Sequence, residues 1–346
     1  MTSKLGVLVT TLVGLCVAGG AACSGGSSDT VTGAAAAAAT GSGGGSSSST
    51  GAGGNGSTTT GSGGSPPAVG ETLTLTLEPF DVQPGTERQV CKVVNLPVDV
   101  PFDVVRFHSS MTGTSHHFNA YKALTNLTDP VSAAESEVHD CPPASEQLSG
   151  DAAYIFGAAE PERTADMPPG VAFHLVPQQR IILEQHVINA TAEVIQGGVT
   201  FELASPAEGA TIEHHADVIW FANWGFFLPP NQESSATTHC TVPYDVEVFG
   251  LMSHTHKLGS HFSIEKWASG NTEHLYDSED WAHPLYAQYE PTVSLAAGEG
   301  LQWTCTWNNT TPGLIGPGKN STDEMCMTFA YAYPKVGLSG DPIQCN

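Results

Sequence analysis

The sequence predicts an all-β protein of antiparallel β-sandwich or jelly-roll construction. Helical periodicity is nearly absent from it. Short apolar or alternating runs recur instead at residues 73–77, 104–107, 181–188, 198–203, 245–256, 301–307 and 325–333, bounded by Gly, Pro, Asn and Asp. Runs of that length at that spacing mark sandwiches and jelly rolls. The globular part begins near Glu71 and spans about 275 residues, which suits two ordinary domains or one large one. A boundary falls naturally at Ser205-Pro206-Ala207-Glu208-Gly209, dividing this part into 71–207 and 208–346.

The N-terminal residues have a different character. Lys4, an apolar run over residues 5–17 and small residues to Ala22 read as an export signal, residues 1–22. The run is too short to span a membrane as a helix. Cys23 follows Gly20-Ala21-Ala22, which resembles a bacterial lipoprotein signal in which that cysteine is lipidated, although Gly20 stands where leucine is usual. Residues 23–70 are almost wholly Gly, Ser, Ala and Thr, with Asp29 as their one charge. Such a composition cannot offset its ordering entropy and reads as a flexible linker, with a reach of roughly 40 Å. The expected location is the cell envelope, as a periplasmic or outer-membrane-anchored lipoprotein, with a secreted product as the alternative. A formal net charge of −24 argues against nucleic acid or an anionic membrane surface as partner, so the only membrane contact expected is the lipid anchor. Beyond the signal region lie Cys91, Cys141, Cys240, Cys305, Cys326 and Cys345, an even set that suggests disulfides in an exported protein.

Residues 245–256 read DVEVFGLMSHTH. On a strand, Val246, Val248, Gly250, Met252, His254 and His256 share a face, so two imidazoles project side by side toward one metal. His116 and His117 are adjacent, and adjacent residues of a regular strand face opposite ways, so joint ligation needs a twist or bulge. The same dipeptide recurs at His214-His215, which shows how little it says alone. His186 shares a strand face with Ile182 and Glu184. In residues 325–333 the odd positions Met325, Met327, Phe329, Tyr331 and Tyr333 face one way, Cys326 and Thr328 the other. A thioether beside imidazoles selects copper, Cu(I) above all, but alternation leaves Met325 and Met327 equally placed.

The ordered set His116-His117, His186, His254-Thr255-His256 and Asp323-Glu324-Met325-Cys326 resembles the ascorbate-dependent type II copper monooxygenases, the peptidylglycine α-hydroxylating and dopamine β-monooxygenase family. Order, intervals and flanks agree together from about Cys91 to Tyr333. The flanks include His256-Lys257-Leu258-Gly259 and the residues leading into His186. The resemblance implies two tandem jelly-roll domains and two copper ions per chain. His116, His117 and His186 would hold an electron-supplying copper, and His254, His256 and Met325 an oxygen-activating one. It implies O2 and ascorbate, or another one-electron reductant, as cosubstrates for hydroxylating a C–H bond. It also implies the disulfides Cys305–Cys326 and Cys240–Cys345, which leaves Cys91–Cys141 as the remaining pair.

The departures from the family concern its substrate. Met252 stands where the peptidylglycine enzymes carry a carboxylate-binding arginine, and Met327 and Phe329 stand where they carry asparagine and tyrosine. This pattern implies a small-molecule or peptide-like substrate more hydrophobic than a C-terminal glycine. His108, His139, His174, His239, His261, His274 and His283 match no ligand position and read as bystanders, His108 with an outer-shell role at most. Trp220, Trp224, Trp303 and Trp307 read as core. Two other readings compete: an exported copper-binding or copper-handling lipoprotein without turnover, and a metal-independent adhesive sandwich on a Ser/Gly stalk.

Overall fold

The computed structural model describes residues 66–112, 115–141, 151–318, 322–335 and 343–344. The export signal, Cys23, the linker up to residue 65 and Cys345 lie outside the described residues. Those described are nearly all β, with one short helix, Ala133–Ser136, closed by a capping box between Ser132 and Glu135. None of their helices is long and apolar enough to cross a membrane.

Two sheets form a first sandwich. One orders Val69–Val82, Ile195–Pro206, Arg106–Met111 and Glu162–Asp166; the other orders His139–Asp140, Glu87–Asn95, Arg180–Ile188, Ser115–Ala123 and Ala152–Ala158. Period-two alternation directs Leu75, Leu77, Phe107 and Phe201 from the one, and Phe118, Phe156, Ile181 and Leu183 from the other, into a shared core. Cys91 and Cys141 are disulfide-bonded at its edge.

A third sheet orders Tyr286–Leu295, Val246–His254, Met327–Tyr333, His214–Ala222, Val171–Leu175 and Phe102–Val104, with Ile343–Gln344 beside His214–Ala222. It therefore takes two strands from the N-terminal half of the chain. A parallel ladder from Val171–Phe173 to His214–Ala216 joins them to the C-terminal strands. The fourth sheet, Gln232–Thr241, Gly300–Asn309, Gly259–Ala268 and Asn271–Ser278, covers one face of the third. Phe221, Val248, Leu251, Phe262, Trp303 and Trp307 fill the core between these two. Cys305 and Cys326 are bonded within it, and Cys240 is also disulfide-bonded.

The opposite face of the third sheet is buried as well. Phe249, Met252, Phe329 and Tyr331 join the first sandwich's core, while Leu251, Ala330 and Ala332 point into the second. Strict alternation fails within Val246–His254, because the register shifts between Val248 and Gly250. Val246 and Val248 consequently face the second core, on the side away from Met252. Gly250 is needed at this shift, since a Cβ would run into the Tyr286 ring.

Lys122 and Asp217 form a buried ion pair at 2.9 Å that ties Ser115–Ala123 to His214–Ala222. Burial pushes the Lys122 ammonium below its usual range, against the pull of Asp217. Removing one partner of a buried pair leaves an uncompensated charge. Lys335, 3.6 Å from Asp217, makes good part of it. Lys122→Met is expected to lower unfolding free energy by about 3 kcal/mol in urea titrations. A loss below about 1 kcal/mol, typical of exposed pairs, would show that this one does not pin the two parts of the fold.

Candidate metal centre

His116, His117 and His186 come together on the outer face of the Glu87–Asn95 sheet, and each offers a ring nitrogen within 4.8 Å of the others. Their ring centroids lie 5.1 to 5.3 Å apart. The backbone achieves this with a bulge. His117 pairs directly with His186, whereas Ser115 already pairs with Val187, so His116 is an extra residue in its strand. Phe118 and Ala120 keep their core positions while both histidines turn outward.

Carboxylates brace the rings from behind. His186 Nε2 lies 3.1 Å from Glu87 Oε2, and His117 Nε2 lies 3.8 Å from Glu184 Oε1. Glu184 is buried and accepts a hydrogen bond from Gln89. Burial raises its pKa, but His117, Gln89 and Tyr121 more than offset this and hold the carboxyl below its usual range. With Nε2 of His117 and His186 turned toward carboxylates, Nδ1 is left as the metal-facing nitrogen. Desolvation, then the neighbouring histidines, push His116 down to about 3. Desolvation and His117 also lower His186, despite Glu87. Neutral imidazoles with available lone pairs are what a metal requires.

The second group is built on a buried carboxylate. The strand ends at His254, so His256 lies beyond it in a turn, not on the strand face that alternation implies. Glu324 accepts from the backbone N–H groups of His256 at 2.9 Å and Leu258 at 2.8 Å, and from Trp307 Nε1 at 3.1 Å. Burial raises its pKa, and these donors only partly oppose the rise. His256 Nδ1 lies 2.9 Å from the Asp323 carbonyl, which makes Nε2 its metal-facing atom. The turn closes with Gly259 N–H donating to the His256 carbonyl, and a Cβ on Gly259 would strike the Thr255 side chain. The His254 and His256 rings are 5.3 Å apart and perpendicular. His254 is pushed well below its usual pKa, first by desolvation, then by His256, His117 and His116. The two histidine groups therefore lie within electrostatic reach of one another.

Met325 sits next to Glu324, before the strand that starts at Met327. Both methionines are buried, with Ala222, Trp220 and Trp224 around them. Met327 Sδ accepts from Trp220 Nε1 at 3.1 Å. Met252 and Phe329 are buried too. Arg163 Nη1 lies 3.8 Å from Met252 Sδ, and Phe329 stacks on Tyr154 at 4.7 Å and on Trp220 at 5.8 Å. Met252 and Phe329 are thus packed into the seam between the sandwiches, and Met327 into the small cluster beside it.

Several neighbours carried no signal in the sequence. Trp281 and His283, from the segment before Tyr286–Leu295, approach the His116 ring at 5.5 and 6.3 Å. His283 is anchored on Asp280 at 3.1 Å. Arg163 is buried over the Tyr286 ring at 4.2 Å and the Phe156 ring at 5.2 Å, where ring faces stand in for a carboxylate. A small, shallow cleft is lined by Ser253, Thr255, His261, Asp280 and Trp281 among others. His108, by contrast, bonds Thr164 and Glu162.

Residues 217–340 match the family of the copper type II ascorbate-dependent monooxygenase C-terminal domain. The match includes His254, His256 and Met325 and leaves the His116 group outside. Among solved structures, the chain is similar to PBCV-1 VP54 fitted into a reconstruction of the virophage Sputnik: 7% identity over 78% of this chain and 96% of that one, TM-score 0.26. It is also similar to the infectious bursal disease virus Gx strain structure: 8% identity over 80% and 75%, TM-score 0.17. Superpositions this loose carry no argument about function.

The depressed histidines make stability depend on pH in a definite direction. The unfolded chain protonates His116 near 6.5 and the folded chain only near 3, so the unfolded state binds more protons in between. Stability then falls as pH falls through that window. The metal-free protein is expected to melt at a nearly constant temperature above pH 7 and progressively lower from 6.5 to 5. His116→Asn should flatten that slope, and an unchanged slope would show that His116 is not held neutral by the fold.

Proposed function

We propose that the chain is a copper-dependent monooxygenase that hydroxylates a substrate C–H bond with O2 and a one-electron reductant such as ascorbate. The observation that carries this reading is the conjunction of the copper-monooxygenase domain match over residues 217–340 with a converged three-histidine cluster outside it. In this reading His116, His117 and His186 hold an electron-transfer copper in an N-terminal domain, 71–207. His254, His256 and Met325 hold the oxygen-activating copper in a C-terminal domain, 208–346. The donor sets suit these roles: three imidazoles serve either oxidation state, whereas two imidazoles and a thioether favour Cu(I). Met325 is preferred over Met327 because the Met327 sulfur already accepts the Trp220 N–H.

When bound, the two coppers would deliver two electrons from the reductant, so that one oxygen atom of O2 enters the substrate C–H bond and the other leaves as water. The chain's own residues hold His116, His186 and His254 neutral, orient the imidazoles through Glu87, Glu184 and the Asp323 carbonyl, place the His256 backbone through Glu324, and keep the two groups within electrostatic reach. With Met252, Met327 and Phe329 beside the second group, the substrate is proposed to be hydrophobic and not a C-terminal glycine peptide. The protein is proposed to be exported, held at the cell envelope through a lipidated Cys23 or otherwise released.

One observation favours a second reading, copper holding without turnover: Met252, Met327 and Phe329 are all buried, at 8, 1 and 9% exposure. Reconstitution with Cu(I) under reductant separates the two. Two coppers per chain are expected, one lost in His116→Ala/His117→Ala and the other in His254→Ala or Met325→Ala. Ascorbate-dependent O2 uptake with a hydroxylated product should fall by at least roughly 100-fold in either variant. Two coppers without uptake across a panel of hydrophobic substrates would leave the holding role, and a chain that binds no copper would end both. Efficient hydroxylation of a glycine-extended peptide would overturn the substrate assignment.

A further inference from the structure

The geometry points to a third metal site, for a divalent first-row transition ion, formed by Asp103, His174 and His215 at the ladder joining the two parts of the chain. These residues each offer a ligand atom within 4.8 Å of the others, as the His116 group does. The site lies on the third sheet, on the face away from the first sandwich's core. Phe102, Val104, Phe173, Leu175 and Ala216, which alternate with the three, are all in that core.

Register, not rotamer chance, brings them together. Asp103 pairs directly with His174 across the antiparallel ladder. His215 pairs with Ala172 across the parallel ladder, so His174, two residues on, is its diagonal neighbour on the same face. The two rings are 4.6 Å apart. His174 Nδ1 and His215 Nε2 approach the same carboxylate oxygen, Asp103 Oδ1, at 2.8 and 3.3 Å. Around an ion with bonds of about 2.0–2.2 Å, ligand atoms 90° to 109° apart stand about 2.8–3.6 Å from one another. The observed separations are therefore close to those of a coordination sphere, and small side-chain shifts admit the ion.

The side chains remain about a third exposed, at 30, 33 and 42%, so water can complete the sphere. Two imidazoles and a carboxylate, with no sulfur, suit zinc and the other divalent ions and disfavour Cu(I). Asp103 and His174 belong to the N-terminal part and His215 to the C-terminal part. A bound ion would therefore staple the seam beside the ladder. This inference does not rest on the copper reading and can fail without it.

Zinc is the probe. Full-length protein equilibrated with Zn(II) and freed of excess ion is expected to hold one more zinc per chain than either Asp103→Asn or His215→Gln, with far-UV circular dichroism unchanged. Affinity at this site should fall roughly 100-fold or more in each variant. Zinc should also raise the melting temperature of the wild type more than that of the variants. Equal zinc content in all three proteins would overturn the site. Should a variant fail to fold, anomalous scattering at the zinc edge from wild-type crystals decides. A peak among Asp103, His174 and His215 supports the site, and its absence rejects it.

Discussion

The central strands of the third sheet, Val246–His254, Met327–Tyr333 and His214–Ala222, pack against both cores, and this constraint fixes the register of the strands that carry His254 and His215. A strand covered on one side can slip by two residues and still bury apolar groups. A strand whose odd residues fill one core and whose even residues fill another has no such freedom. In Met327–Tyr333, Phe329 and Tyr331 belong to the first core, Ala330 and Ala332 to the second. His254, paired with Met327 in that register, inherits its place from this double packing. So does His215, one strand further along the same sheet.

The two histidine groups use different devices to reach the same end. The first needs a bulge to turn His116 outward beside His117, and carboxylates behind the rings to choose the nitrogen that faces inward. In the second, His254 ends a strand and is held by its ladder, but His256 lies past the strand end, where no ladder fixes it. There one buried carboxylate, Glu324, gathers the backbone of His256 and Leu258 together with the Trp307 indole. The acid therefore shapes the turn that carries His256, and its neighbour Met325 enters the same region through the chain itself. Desolvation of the imidazoles is common to both groups and favours metal over protons.

The all-β class and the alternation of residues 325–333 were legible because period-two burial is a local property. Alternation in residues 245–256 misled where the register shifts at Gly250, and His256 proved to lie beyond the strand. A twist or bulge at His116 was foreseeable as a requirement, since adjacent residues of a regular strand face opposite ways, and the structure uses the bulge. His283, Trp281 and Arg163 were not legible, because nothing in their neighbours along the chain announces what they meet across it. His174 read as a bystander and His214-His215 as a decoy. Only the ladders bring His215 and His174 to one carboxylate, through pairings between residues 172 and 215 and between residues 103 and 174 that lie far apart along the chain.

Met252, Met327 and Phe329 join the seam to the question of substrate. Each is buried against a named partner from the surrounding strands: Arg163, Trp220, and Tyr154 with Trp220. Burying side chains of this size is worth about 1.5–3 kcal/mol apiece, so the three together stabilise the closed seam and the cluster beside it appreciably. A polar ligand entering there would lose that burial, and the buried guanidinium beside it, Arg163, is already held against Met252 and the Tyr286 and Phe156 rings. An apolar substrate would replace one buried contact with another, and the cost of entry would fall accordingly. The residues that deprive the site of a polar grip are thus the ones that keep it shut, and on the proposed function hydrophobicity is what a substrate needs both to enter and to be held.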